Sequence, residues 1–132
     1  PYSTGEDECL VHNGSLSNHN NLRRKLIKNG SSFKSENDTE VAAGYISDSL
    51  KNKNLKDTLK SGLKDLDGFY TFITGTRKGF AVLRDEIACK PAVIAETKDC
   101  KFVIAVSLST EPVKLAGVSV PLKVVDASKF TL

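Results

Sequence analysis

Apolar positions follow two periods along this chain. Residues 1–7 are turn chemistry and predict a loop. Cys9 to His12 is a short apolar run bounded by turn residues, which predicts a buried strand. Asn13-Gly14 ends it. Asn-Gly is also a common hairpin dipeptide, but Ser15-Leu16-Ser17-Asn18 supplies no second alternating run. Helical spacing takes over near Asn18, with Leu22, Leu26 and Ile27 on one face. Ser17 or Asn18 can cap that helix, and Gly30 suits the left-handed position just past its end. Phe33-Lys34 reads as a short extended link. A second helix opens with Asn37 and Glu40 at capping-box spacing, and Val41, Ala42, Tyr45, Ile46 and Leu50 form its stripe. Lys51-Asn52-Lys53-Asn54 breaks the pattern. A third helix runs from about Leu55 to Leu66, with Leu55, Leu59, Leu63 and Leu66 in register.

After Asp67-Gly68 the period drops to two. Phe69 to Thr74 and Phe80 to Arg84 are strands joined through a loop bounded by Gly75 and Gly79. Ala92 to Glu96 and Lys101 to Ser107 form a second hairpin around Lys98-Asp99. Pro112 to Gly117 is irregular or a short helical turn, and Val120 to Asp126 is a last strand. Several strands are apolar on both faces, which calls for a sheet covered on both sides. Helices followed by an antiparallel meander make the chain α+β.

Composition narrows the function classes. At 132 residues, with 39% hydrophobic and 27% charged positions, the chain is one globular domain at most. A net charge of +3 does not argue for nucleic acid. The basic cluster from Arg23 to Lys28 lacks interleaved aromatics and reads as a solvated helix face. No apolar run is long enough to span a membrane. The three cysteines, Cys9, Cys89 and Cys100, have no C-x-x-C spacing. They predict inert buried thiols in a cytoplasmic setting, with no disulfide framework and no metal site. No cofactor site is visible.

Two short stretches carry candidate chemistry. An amide hydrolase needs donors aimed at the oxygen that turns negative in its tetrahedral intermediate. The side-chain amide of Asn13 and the backbone N–H of Gly14 can supply two, and the plain alternative is a turn. Asp38 stands at a helix start, where the dipole favours a carboxylate. The cap falls to Asn37 and Glu40, which leaves Asp38 free to face a ligand. His12 reads as a packed residue or one behind a site, and His19 as a solvated one. Arg84-Asp85 reads as a turn that fixes a strand end.

Val-His-Asn-Gly, then Asn-His-x-x-Leu-Arg, then Phe-x-Ser-Glu-x-Asp-Thr-Glu-Val together resemble the glutamine site of the class II glutamine amidotransferases, a branch of the N-terminal-nucleophile hydrolases. The branch most similar is the glutamate-synthase-associated type. The resemblance is strongest from Leu10 to Ala43 and continues through Glu96. It implies a partial αββα sandwich, with antiparallel sheets inside and helices outside. It implies that Asn13 and Gly14 form the oxyanion hole, and that Asp38, with His12 beside it, binds substrate. The implied reaction turns L-glutamine into glutamate and ammonia for a synthase domain or subunit.

Members of that family attack with an N-terminal cysteine. Residue 1 here is Pro, and the family's first strand and carboxylate-gripping Arg have no counterpart. Residues 1–132 are therefore expected to be the C-terminal portion of such a domain, with an exposed apolar patch beside the Cys9–His12 strand or a second chain covering it. The alternative is a non-catalytic module kept for subunit assembly or ligand sensing. A cysteine start upstream of Pro1 separates the two. Residues 1–132 alone are predicted to release no glutamate from L-glutamine; measurable release in a coupled glutamate assay contradicts this.

Overall fold

The computed structural model describes residues 1–5, 7–77, 79–88, 90–96 and 103–107. Their elements run β1 (Tyr2–Gly5), β2 (Glu8–Leu16), α1 (His19–Lys28), α2 (Asp38–Leu50), α3 (Leu55–Asp65), β3 (Gly68–Thr76), β4 (Gly79–Arg84), β5 (Ala92–Glu96) and β6 (Val103–Ser107). β1 to β4 form a four-stranded sheet in that order, with every neighbour antiparallel. β5 and β6 pair as a second, antiparallel sheet, and β6 comes close to β3. The turn expected at Lys98-Asp99, the irregular stretch from Pro112 to Gly117 and the strand from Val120 to Asp126 lie outside the described residues.

Strand alternation divides the larger sheet cleanly. Leu10, His12 and Leu16 of β2, Tyr70, Phe72 and Thr74 of β3, and Ala81 and Leu83 of β4 share one face by register. The apolar members join one core with Leu22 and Leu26 of α1, Val41 to Ala43 and Ile46 of α2, and Leu59 of α3. α2 packs on β1 and β2 while touching both other helices. Glu40 to Ile46 is therefore buried without a break, so the helix is covered nearly all round.

The second face is only partly covered. Val11 is 42% exposed, Phe69 50% and Phe80 43%. Of these only Val11 lies on the Cys9–His12 strand, where an apolar patch was expected; Phe69 and Phe80 stand at opposite ends of the β3–β4 pair. The chain entering β5 lies against part of this face, where the Lys90 carbonyl accepts from Thr71 Oγ1 at 2.6 Å and from Arg84 Nε at 3.0 Å.

Four local expectations are corrected. Residues 2–5 form an edge strand rather than a loop, because Tyr2 and Gly5 pair with Leu10 and Glu8. Asn13-Gly14 does not end a strand. β2 continues to Leu16, and Gly14 pairs with Tyr70. No side chain caps α1. Asn18 instead spans to the α3–β3 junction, donating to the Asp65 carbonyl and accepting from the Asp67 N–H. Cys9, expected to be buried, is exposed on the second face.

Gly14 is required by its strand. Its φ is +134°, and a Cβ there would stand 1.9 Å from the Phe69 carbonyl oxygen. Gly30 also has positive φ, but a Cβ there meets nothing within 4 Å. Gly14→Ala should cost about 3 kcal/mol or more in urea unfolding, and Gly30→Ala about 1 kcal/mol. Equal losses would mean that the Phe69 carbonyl moves aside.

Candidate functional site

Two buried charges shape the loop that delivers α2. Arg23, expected on a solvated face, is 8% exposed. Its guanidinium donates to the Ser35 carbonyl at 2.6 Å and the Asn37 carbonyl at 3.3 Å, and it lies 5.1 Å from the Phe33 ring centroid. Glu40 is 9% exposed and accepts from the N–H groups of Lys34 and Ser35, both at 2.8 Å, and from Ser35 Oγ at 2.7 Å. The capping box is thus only half formed. Asn37 accepts the Thr39 N–H at 2.8 Å, while Glu40 turns back to the loop because Ser35 Oγ already accepts the Asn37 N–H. Buried groups that end up bonded in this way hold a chain segment in one shape.

That loop sets Asp38 against β2. Asp38 Oδ2 accepts the Leu16 N–H at 2.9 Å. Asp38 Oδ1 lies 3.7 Å from His12 Nδ1 and 3.5 Å from Thr39 Oγ1. His12 Nδ1 and Thr39 Oγ1 are 2.9 Å apart. The His12 side chain is 1% exposed and that of Asp38 21%. His12 packs edge-on against Phe72 at 4.8 Å between centroids, and its Nε2 has no hydrogen-bond partner. Burial pushes the His12 imidazole below its ordinary range, and the Asp38 charge offsets this only in part. The balance favours the neutral ring.

Of the four expected residues, Gly14 and Asp38 share one stretch of strand edge, His12 lies beside Asp38, and Asn13 falls on the other face by phase. β1 pairs only with the start of β2, so from Val11 onward β1 does not cover that edge. The Ser17 N–H donates to the Asp67 carbonyl on the β3 side, while the Leu16 N–H goes to Asp38. Alternation of N–H direction along an antiparallel strand turns the Gly14 N–H to the same outer edge as that of Leu16. Asp38 lies on that edge, His12 reaches it from the helix face, and Asn13 belongs by phase to the opposite face, in a row with Thr71 and Arg84.

From the sequence Thr39 had no separate role, Arg23 belonged to a solvated face and Glu40 to the cap, whereas Arg23 and Glu40 are both buried against residues 34–37. Arg23 sits at helical spacing from Leu26 and Ile27, on the margin of the apolar face, and that was a usable signal. His19 is half-buried rather than solvated, donating Nδ1–H to the Leu16 carbonyl at 2.7 Å. Arg84-Asp85 does form a turn. Asp85 accepts the Tyr70 N–H at 2.9 Å and the N–H groups of Ile87 and Ala88 at 3.0 and 3.1 Å. Among the described residues no cluster of His, Cys, Asp and Glu could hold a metal, and no helix is long and apolar enough to cross a membrane.

Comparison with known proteins supplies an independent finding. Residues 1–110 match the family model described as "Glutamine amidotransferase domain". The glutamine amidotransferase-like protein GlxB of Rhizobium meliloti is 63% identical over 98 residues, which are 74% of this chain and 33% of that protein. An amidophosphoribosyltransferase of Staphylococcus aureus is 34% identical over 96 residues, 73% of this chain and 19% of that one. Among solved structures, the glutamine phosphoribosylpyrophosphate amidotransferase of B. subtilis aligns with a TM-score of 0.64 at 35% identity, over 78% of this chain and 22% of that one. The chain thus spans about a third of the length of GlxB and less of the others.

The Glu40 clamp has a pH signature. Burial raises the carboxyl, but the donors from Lys34 and Ser35, with Arg23 nearby, outweigh it and leave a net lowering. A carboxyl lowered by folding contributes stability above its unfolded value, about 4.3, and loses it as pH falls through the folded value. Glu40→Gln should be less stable than wild type by about 2 kcal/mol at pH 7. The gap should narrow below about pH 4 in denaturation series. A gap that persists unchanged to pH 2 contradicts the clamp.

Proposed function

Because this chain belongs to the class II glutamine amidotransferases and carries their N-terminal-nucleophile hydrolase fold, we propose that its β2 edge is the glutamine site of a glutaminase domain. In this reading Asp38 receives the α-ammonium of L-glutamine. The N–H of Gly14 and the side-chain amide of Asn13 receive the amide oxygen as it turns negative. His12 stands behind Asp38 and holds it in place.

The observation that carries this reading is the Asp38 carboxylate bonded to the Leu16 N–H on the same edge as Gly14. Leu16 and Gly14 are two residues apart, roughly 7 Å along a strand. A glutamine laid along the edge can engage a carboxylate at one end and an oxyanion donor at the other. An ammonium beside a partly exposed carboxylate is held by a charge-assisted bond. Donors already fixed in a strand stabilise the developing oxyanion with little reorganisation.

The nucleophile is not Cys9. That residue lies four positions from Asn13 along β2, roughly 14 Å, whereas attack needs contact at about 3 Å. We assign the nucleophile to a cysteine outside residues 1–132, as in the family. Ammonia leaves the tetrahedral intermediate to give a thioester, which water hydrolyses to glutamate and the free thiol. A synthase domain or subunit in the cytoplasm consumes the ammonia.

The test is kinetic, on the intact protein. Asp38→Asn should raise the KM for L-glutamine about tenfold or more with a smaller change in kcat. Asn13→Ala should lower kcat about 100-fold. Wild-type kinetics in Asp38→Asn would sink the assignment. No glutaminase activity from a protein that does carry an N-terminal cysteine would favour the assembly module instead.

A further inference from the structure

We propose that Thr39 and His12 are positioning residues: a two-link hydrogen-bond chain from His12 Nδ1 through Thr39 Oγ1 to Asp38 Oδ1 sets the carboxylate in the orientation that accepts a substrate ammonium. This rests on the reading of Asp38 given above.

The direction of the chain follows from donor counting. A carboxylate only accepts, and a threonine hydroxyl has one proton to give. Thr39 Oγ1 lies 3.5 Å from Asp38 Oδ1 and 2.9 Å from His12 Nδ1. If the hydroxyl donates to Asp38, it must accept from His12, which then carries its proton on Nδ1. The reverse order strands a buried N–H on His12 Nε2, which has no partner, and takes the hydroxyl proton away from the carboxylate. Orphaned buried donors are rarer than orphaned acceptors, so the chain runs His12 to Thr39 to Asp38.

The consequence is a fixed carboxylate plane. The Leu16 N–H engages Oδ2 at 2.9 Å and the Thr39 hydroxyl faces Oδ1. Each oxygen keeps a further lone pair for an incoming ammonium, and the 21% exposure of the Asp38 side chain leaves a path to it. The His12 ring is buried and packs edge-on against Phe72, which restrains its rotation. The capping role at this helix start uses the Thr39 backbone N–H, so replacing the side chain separates positioning from capping.

The test uses the intact protein and two ligands that differ only in the α-amino group, L-glutamate and glutarate. By calorimetry, Thr39→Val should weaken L-glutamate binding about tenfold, while Thr39→Ser stays within about twofold of wild type. Glutarate should bind all of these equally. Nitrogen-15 NMR of the chain's two histidines should find His12 with its proton on Nδ1 in the wild type, and the Nδ1 shift should change in Thr39→Val as its acceptor is lost. Unchanged L-glutamate binding in Thr39→Val, or an Nε2–H tautomer in the wild type, overturns the inference whether or not the variant folds well. Asp38→Asn tells the two readings apart. If it weakens L-glutamate binding and Thr39→Val does not, only the relay fails. If it leaves binding unchanged, the reading of Asp38 fails and the relay with it.

Discussion

The bond from the Leu16 N–H to the Asp38 carboxylate joins the helix layer to the sheet at the point where β2 leaves its partner β1 behind. A strand edge without a neighbour presents free N–H and C=O groups, which are costly when buried and sticky when exposed. Here one of those N–H groups is taken by a side chain from the first residue of α2. The same carboxylate faces His12 from one side and the solvent from the other. Helix start, strand edge and candidate ligand position are thus set by one interaction.

Holding that carboxylate takes a buried scaffold of its own. Arg23 and Glu40 do not pair with each other in a simple bridge. Each bonds the backbone of residues 34–37, one as donor and one as acceptor. A loop fastened from both sides can present the next residue with little freedom, as binding at a fixed geometry requires. The opposite end of the site relies on backbone geometry instead. Gly14 exists because the Phe69 carbonyl occupies the volume a side chain would need. One residue type then serves two needs: a close approach between strands, and an N–H turned to the open edge.

The second face of the sheet behaves differently. Val11, Phe69 and Phe80 remain exposed where the chain into β5 does not reach. Asn13 belongs to this face by phase, although its neighbours His12 and Gly14 belong to the other. The candidate site therefore lies at a rim between two environments, one packed by helices and one apolar and open.

Hydrophobic period alone determined the three helices, the β3–β4 and β5–β6 pairs and the α+β class, because a buried face imposes 3.6 or 2 on any sequence that forms it. The spacing of Asn13, Gly14 and Asp38 was equally legible as a resemblance. What the chain could not reveal locally was decided by contacts between distant segments. Asn13-Gly14 has the local chemistry of a turn, and only pairing with Tyr70 and Thr71 keeps it in a strand. Residues 2–5 have the composition of a loop and become a strand because β2 offers an edge. Arg23 reads as one more cation on a basic helix, yet it is buried because the carbonyls of Ser35 and Asn37 fold back over it. Local preference is worth about a kcal/mol per residue, while a buried polar group left unpaired costs more than that. Where the two disagreed, the tertiary partner decided.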